Sequence, residues 1–473
     1  MSDHPHFADL PSPLVSKLHA FGQEQVLRFW QELDAERRSH LARQLEAIDL
    51  ELIAKLVSGN EAKPDYAALA ARATAPPAVR RDGTGAAWSP ADAREAGLRA
   101  IRQGRVAAVI VAGGQGTRLG FDLPKGLFPI GPLSDRTLFQ CFADRLIAMR
   151  EHYGVAIPLY VMTSPLTHDQ TVGYWAENDF LGLPKEDVIL FCQGTMPAVD
   201  AETGKLLMSD KDSLCLSPDG HGGTIKALDS AGCFEDATRR GVDLFSYIQV
   251  DNPLAALCDP DLIGHHLMAG SEMTTQVVRK RYAEEKVGNV VMIDGSVRII
   301  EYSDLPAAAA ERRNESGELS LWAGNIAVHV FDLAFLRRAV ASSDALPFHH
   351  ASKVTPYLND EGEIVQPAEP NSIKFERFIF DLLPWAENAF VVEADPGKAF
   401  APVKNADGAA NDTPELARQA MVQLDRQRLQ AAGVKVAAEV RVEINPRFAF
   451  TDEQLAAKVT AGETVTSDRY FGP

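Results

Sequence analysis

Cysteine is scarce in this chain of 473 residues: there are five, at 141, 192, 215, 233 and 258, and no C-x-x-C pair. Scattered single thiols offer neither a disulfide framework nor a thiolate metal site, and read as small buried residues of a reducing cytosol. Long hydrophobic runs are missing too. Nothing approaches the roughly 18 apolar residues that a membrane span requires. The opening MSDHPHFADL has neither the basic start nor the apolar stretch of a signal peptide, so the expected location is cytoplasmic, without a membrane partner. Positive charge is in deficit, with a net charge of −18. Such a surface argues against nucleic acid, whose phosphates want a basic face. It does not argue against a nucleotide substrate, because a few local cations suffice and salt screens the long-range repulsion.

What is present is organised around AAVIVAGGQGTRLGFDLPKG, residues 107–126. The apolar run 106–112 has the pattern of a strand buried on both faces of a parallel sheet. Glycines follow it, able to turn sharply and to offer backbone N–H groups to an anion. Arg118 and Lys125 add two positive charges. No Gly-Lys-Ser/Thr stands here, so the P-loop fails, and Gly114-x-Gly116 misses the dinucleotide fingerprint because the next glycine is Gly120. A dinucleotide-dependent oxidoreductase falls with that spacing, and no serine-histidine-aspartate arrangement is supported. A polyphosphate loop is the reading that fits.

Length suggests two or three domains. The first hundred residues read as helical: Phe21, Val26, Leu27, Trp30 and Leu33, then Leu41, Leu45, Ile48, Leu52 and Leu56, recur at helical spacing. Residues 73–85, rich in Pro, Gly and Arg, read as a linker. Ser89-Pro90-Ala91-Asp92 opens a helix. Strands at 106–112, 159–163, 188–192 and 244–250 alternate with helices at 138–150, 167–178 (with a capping box at Thr167) and 225–236, which implies βαβ units. The expected fold is α/β, a Rossmann-like nucleotidyltransferase domain with a mostly parallel central sheet. A helical N-terminal extension and a small C-terminal domain complete it. Ligands of such sheets lie at the carboxyl ends of the strands, where the glycine loop and Asp251-Asn252 both fall. Asp294-Gly295 suits a type I′ hairpin between 290–293 and 297–301. Residues 307–310 read as a short helix or loop. Thr413-Pro414 starts a long helix ending near Gly433, and 438–444 alternates as a half-buried strand. The domains expected are 1–88, 89–404 with a sugar-facing subdomain at about 270–403, and 405–473.

GGQGTRLG…PKG resembles the signature loop of the UTP-dependent nucleotide-sugar pyrophosphorylases. In its details it is similar to the UDP-N-acetylhexosamine pyrophosphorylases, since the UDP-glucose enzymes lack the TRLG spelling. VMTSPLTHDQT, FCQGTMPAV, SPDGHGGTIKAL, VDNPLAALCDP, EKVGNVV, IIEYSD, AGNIAVH, NSIKFERFIFDLL and PVKNADG agree in order, over roughly residues 20 to 450. The resemblance implies attack by a sugar-1-phosphate oxygen on the α-phosphorus of UTP, with Mg²⁺ as cofactor. The substrates are then UTP and N-acetylhexosamine-1-phosphate, and the enzyme a monomer or weak homodimer. The nucleophile is already an anion, so alignment and charge stabilisation do the work.

By the same resemblance Arg118 holds the β/γ phosphates and Lys125 the phosphates nearer the reaction, while the late-chain cation Lys404 reaches back to the phosphates. Asp251 is the Mg²⁺ ligand, with no second ligand named. Ala112, Gly113, Gly114, Gly116, Thr117, Gln193, Pro218, Asp219, Gly220 and Gly222 form the nucleotide site, where the Gln193 amide matches the edge of uracil. His221 is neither a metal ligand nor a base. Asn252, Gly288, Glu301, Asn325 and Lys374 serve the sugar phosphate, with Asn325 set to bond the N-acetyl group and Gly288 to leave it room. Trp322 stands before AGN where close relatives carry Asn, which leaves glucosamine against galactosamine open. The rival readings are a UDP-glucose or broad-specificity enzyme and a non-catalytic nucleotide-sugar sensor.

Overall fold

The computed structural model describes residues 10–59, 65–342 and 345–473. Parts of the expected N-terminal region, 1–9 and 60–64, lie outside them. Two compact units emerge. The larger takes Asp65–Gln193, Thr224–Ala345 and Phe380–Pro473; the smaller takes the described part of Met1–Pro64 with Gly194–Gly223 and Leu346–Ile379.

Nine strands make the sheet of the larger unit: β1 Val106–Val111, β2 Leu159–Thr163, β3 Val188–Cys192, β4 Leu244–Gln249, β5 Met273–Arg279, β6 Asn289–Ile293, β7 Ser296–Ile300, β8 Ala323–Asp332 and β9 Ala389–Glu393. Their order is β7-β6-β8-β4-β1-β2-β3, with β5 beside β8 and β9 beside β5. The half β3-β2-β1-β4 is parallel throughout, and β8 then joins β4 antiparallel. Val106 to Ile110 are all buried, the two-sided burial that the apolar run implied. The α/β expectation holds. Chain order reverses direction across the sheet between β1 and β4, so a crevice opens at their carboxyl ends.

The hairpin forms as expected: Asp294 (φ 50°) and Gly295 (φ 82°) both take the left-handed conformation that a type I′ turn requires. Ser89 caps helix Pro90–Arg102 by accepting the N–H of Asp92, with Pro90 at the first turn. Residues 73–85 are irregular but pinned. Val79 donates its N–H to Val391 O at 3.0 Å and accepts that of Glu393 at 2.8 Å.

Several local expectations are corrected. Residues 225–236 form two helices, Thr224–Ser230 and Cys233–Arg240, because Gly232 turns left-handed (φ 71°) between them. The capping box at Thr167 is not made; its hydroxyl accepts the N–H of Ser164 instead, at 3.1 Å. Only Val442–Ile444 of 438–444 is strand. The preceding carbonyls are taken by the Arg426 guanidinium, which reaches Ala437, Ala438 and Val440 at 2.8, 3.0 and 2.6 Å. Of the five cysteines Cys192 is exposed and Cys141 half-buried, whereas the other three are buried.

Helix Pro414–Ala431 and the segments after it gather their own core around Leu429, Val442, Leu455 and Phe471. Polar bonds tie this core to the start of the sheet. The Glu443 carboxylate accepts the N–H groups of Leu133 and Ser134 at 2.7 and 2.8 Å, and Asn445 donates to Asp144 at 2.7 Å.

In the smaller unit the N-terminal apolar stripes do not stand alone. Trp30, Leu41, Leu45 and Ile53 share a core with Val199, Leu206, Leu214 and Phe375, and Leu206 donates its N–H to the Gln23 side chain at 2.8 Å. The smaller unit thus joins the described part of residues 1–64 to 194–223 and 346–379. Residues 24–27 and 30–32 are short 3₁₀ turns.

Candidate active site

The crevice between β1 and β4 carries the charged residues of the larger unit's site. The glycine loop after β1 folds back on itself: Lys125 donates its N–H to Gly114 O at 3.0 Å, and Gly116 donates to Leu123 O at 2.9 Å. That closure turns the Lys125 side chain toward the end of β4, where its Nζ lies 3.7 Å from Asp251 Oδ2, both groups largely buried. Val403 donates its N–H to Asp251 O at 2.8 Å, which brings Lys404 to the same place from far along the chain. Arg118 stands exposed in the turn Thr117–Leu119, with Thr117 exposed beside it and Gly116 and Ala112 buried.

Sequence reasoning missed two residues here. Asp412 accepts the N–H groups of Lys404 and Asn405 through its carbonyl at 2.8 and 3.0 Å. Burial pushes its carboxyl up, against the pull of Lys404 and Arg281. Nothing in NDTPE distinguished it from an ordinary helix-start acid. Ser164, after β2, donates its hydroxyl to Gly113 O at 2.7 Å; its place at a strand's carboxyl end was the available signal.

Gln193 extends from β3 and is buried. Its Oε1 lies 3.1 Å from where a Cβ on Gly113 would stand. No protein partner engages its amide among the described residues, which leaves donor and acceptor side by side for a ligand edge. Pro218, Asp219, Gly220 and Gly222 lie in the smaller unit, on a loop braced by Arg377: Gly222 donates to Arg377 O, and Arg377 to Asp219 O, each at 2.8 Å. His221 accepts the Ile379 N–H at 3.2 Å and stacks on Phe378. Burial lowers it to about 4, with His349 adding to the shift. It is a neutral structural imidazole at physiological pH. Lys374 is also in the smaller unit, on a strand paired with His349–Lys353.

Gly288, Glu301 and Asn325 come together at the open end of the β6–β7 hairpin. A Cβ on Gly288 would stand 2.8 Å from Glu301 Oε1 and 3.7 Å from Asn325 Cβ, so only glycine leaves this space open. Asn325 donates its N–H to Gly288 O at 2.8 Å, and its Oδ1 accepts the N–H of Ala327 at 3.0 Å. Ala327 has φ 55° where the β5–β8 register shifts, a bulge of the kind that re-aims a side chain. With its oxygen committed, the Asn325 amide presents its NH₂. Asn252 follows Asp251 and is buried. Its amide donates to Ala399 O at 2.8 Å and accepts from Ala401 at 3.0 Å, so it braces the segment leading to Lys404. Trp322 is buried under the Arg80 guanidinium, 3.9 Å from the ring centroid, with Arg279 at 5.7 Å.

The arrangement puts the Lys125 ammonium, the Asp251 carboxylate and the Lys404 backbone at one strand edge, with a pocket of Gly288, Glu301 and Asn325 beyond. Among the described residues no cluster of three or more His, Cys, Asp or Glu could hold a metal alone. Asp251 is instead a single carboxylate beside cations. That suits Mg²⁺, which takes one or two carboxylates and completes its shell with phosphate and water.

Comparison with known proteins agrees with this chemistry. The family model described as UTP–glucose-1-phosphate uridylyltransferase matches residues 91–455. The chain is 37% identical over 420 residues to the UDP-N-acetylhexosamine pyrophosphorylase-like protein 1 of Xenopus tropicalis, covering 85% of this chain and 81% of that protein. It is 36% identical over 453 residues to the UDP-N-acetylglucosamine pyrophosphorylase of Saccharomyces cerevisiae, covering 92% and 94%. Its structure is similar to that of the uridine diphosphate N-acetylglucosamine pyrophosphorylase of Trypanosoma brucei, with a TM-score of 0.80, 25% identity and coverage of 94% and 93%.

Proposed function

The chain belongs to the UTP–glucose-1-phosphate uridylyltransferase family, and we propose that within it the chain transfers uridylyl from UTP to N-acetylglucosamine-1-phosphate. One observation carries the proposal: Lys125, Asp251 and the Val403–Lys404 segment meet at the crevice between β1 and β4, the place where such a sheet binds its ligand.

In this reading the sugar phosphate oxygen attacks the α-phosphorus in line, and pyrophosphate leaves with the bonding electrons. No protein base is needed. Lys125 and Lys404 counter the repulsion between the two anions and the charge that builds in the transition state. Arg118, exposed on its turn, takes the β/γ phosphates. Gln193 and Gly113 hold the uracil, helped by Ala112, Gly114, Gly116 and Thr117 as the loop that carries the phosphates. Pro218, Asp219, Gly220 and Gly222, and Lys374, are assigned to the nucleotide and to the sugar phosphate respectively. Asp251 would hold Mg²⁺, which when bound neutralises and orients the triphosphate. Glu301 accepts from sugar hydroxyls, and the Asn325 NH₂ donates to the acetamido carbonyl.

No helix among the described residues is long and apolar enough to cross a membrane. A cytoplasmic monomer or weak homodimer belongs to the same proposal, and sedimentation checks the assembly. The test of function is pyrophosphate release from UTP and Mg²⁺ with four sugar-1-phosphates offered separately. Preference for N-acetylglucosamine-1-phosphate supports the proposal. Preference for glucose-1-phosphate overturns the sugar, and no release by protein that binds UTP points to a sensor.

A further inference from the structure

Directly behind Gly288 the sheet buries a polar pair where an apolar one would pack. Asn289 opens β6 opposite Ile300 of β7 and Gly324 of β8, and only 1% of it is exposed. Its Nδ2 donates to Val287 O at 3.4 Å and to Ile300 O at 3.3 Å. Those two carbonyls belong to the residues just before Gly288 and just before Glu301. Its Oδ1 accepts from the Lys280 ammonium at 2.5 Å, and Lys280 also reaches Ala283 O at 3.3 Å.

Lys280 is itself buried, with no ion pair to a carboxylate among the described residues. Burial draws its pKa down, against the fields of Glu285 and Glu284. An ammonium held by neutral oxygens is costly to bury. A valine at position 289 would satisfy the sheet at no such cost. What the polar pair adds is a crosslink. It joins the 280–287 loop to the ends of β6 and β7, and thus fixes the gap between Gly288 and Glu301.

We infer that Asn289, anchored by Lys280, is a specificity-positioning residue. It sets the width of the pocket that distinguishes an N-acetylated hexose-1-phosphate from the plain hexose-1-phosphate. It acts through Gly288 and Glu301 and touches no substrate. This rests on the assignment of those residues and Asn325 to the sugar.

The test compares Asn289→Val and Lys280→Met with the unaltered enzyme. kcat and KM are measured for N-acetylglucosamine-1-phosphate, glucose-1-phosphate and UTP, and UTP binding by calorimetry reports that each variant is folded. The expected result is a fall of about 10- to 100-fold in kcat/KM for the N-acetyl sugar, the scale of a displaced contact. It enters through KM, with a smaller fall for glucose-1-phosphate and an unchanged KM for UTP. Lys280→Arg, which keeps a charged donor, should recover part of the preference. A uniform loss for both sugars, or no change in their ratio, overturns the inference. Asn325→Ala, assayed beside them, separates the two levels. If it also leaves the ratio unchanged, the pocket assignment has failed; if it alone shifts the ratio, only the bracket has.

Discussion

The two ends of the larger unit's site are built on different principles. The end we assign to the phosphates is charge delivered by a contiguous loop: thirteen residues of chain from Gly113 to Lys125, with Asp251 and Lys404 brought against it. The sugar end holds single neutral or acidic side chains from three separate strands and loops, and its geometry depends on a bulge at Ala327 and a glycine at 288. Charges act on every sugar phosphate alike. Amides and gaps act on the differences between sugars. The phosphate end should therefore govern rate and the sugar end preference.

The sharpest way to break that division is Lys125→Ala. A charge-assisted hydrogen bond of this kind contributes ~1.5–3 kcal/mol, and one aimed at the transition state costs about 10²–10³ in kcat when lost. The loss should be the same for N-acetylglucosamine-1-phosphate and glucose-1-phosphate, with UTP binding little weakened. A changed sugar ratio in steady-state kinetics would show that the ends are not separable. Next in size, Asp251→Ala should raise steeply the Mg²⁺ concentration needed for half-maximal activity. An unaltered Mg²⁺ titration removes Asp251 from the metal.

At the other end, Asn325→Ala should cost about 10-fold in preference for the N-acetyl sugar, the worth of one hydrogen bond of ~1 kcal/mol or a little more, while kcat with glucose-1-phosphate holds. A preserved ratio would take Asn325 out of the acetamido contact. The smallest effect is expected away from both ends. Burial pushes Asp425 up to about 7, opposed by the Ile444 N–H and Arg428. Unfolded, the same carboxyl releases its proton near pH ~4. As pH rises between these values the unfolded chain sheds a proton that the folded chain keeps, so folding loses stability, most fully above pH about 7. Asp425→Asn should then raise the melting temperature by about 2–4 °C at pH 8 and leave it unchanged at pH 4, with turnover unaffected. Equal shifts at both pH values would assign the effect to packing.

The two ends were also unequally legible. Residues 106–126 announce a buried strand, a turn and two cations in one stretch, because a backbone nest for phosphate must be local. The apolar run, the Asp-Gly turn and the Ser89-Pro90 cap were readable for the same reason. Asn252 shows what a strand end alone does not reveal: its amide donates to Ala399 O and accepts from Ala401, bonds to residues 147 and 149 positions away. Trp322, where close relatives carry Asn, gave no sign in the sequence of the Arg80 and Arg279 guanidinium groups that lie over its ring. The N-terminal stripes gave their apolar face but not its partner, which lies at 199–214 and 375.

The sequence by itself determined the parallel half of the sheet, the glycine-rich turn with its two cations and the kind of chemistry. These follow from periodicity, glycine placement and charge within short stretches. Tertiary structure alone decided that Lys404 arrives beside Asp251, that the Asn325 carbonyl is taken by Ala327, and that Asn289 and Lys280 bracket Gly288. The physical reason is that a hydrogen bond or ion pair between residues far apart in the chain exists only once their strands are in register. Register is set by the packing of the whole sheet.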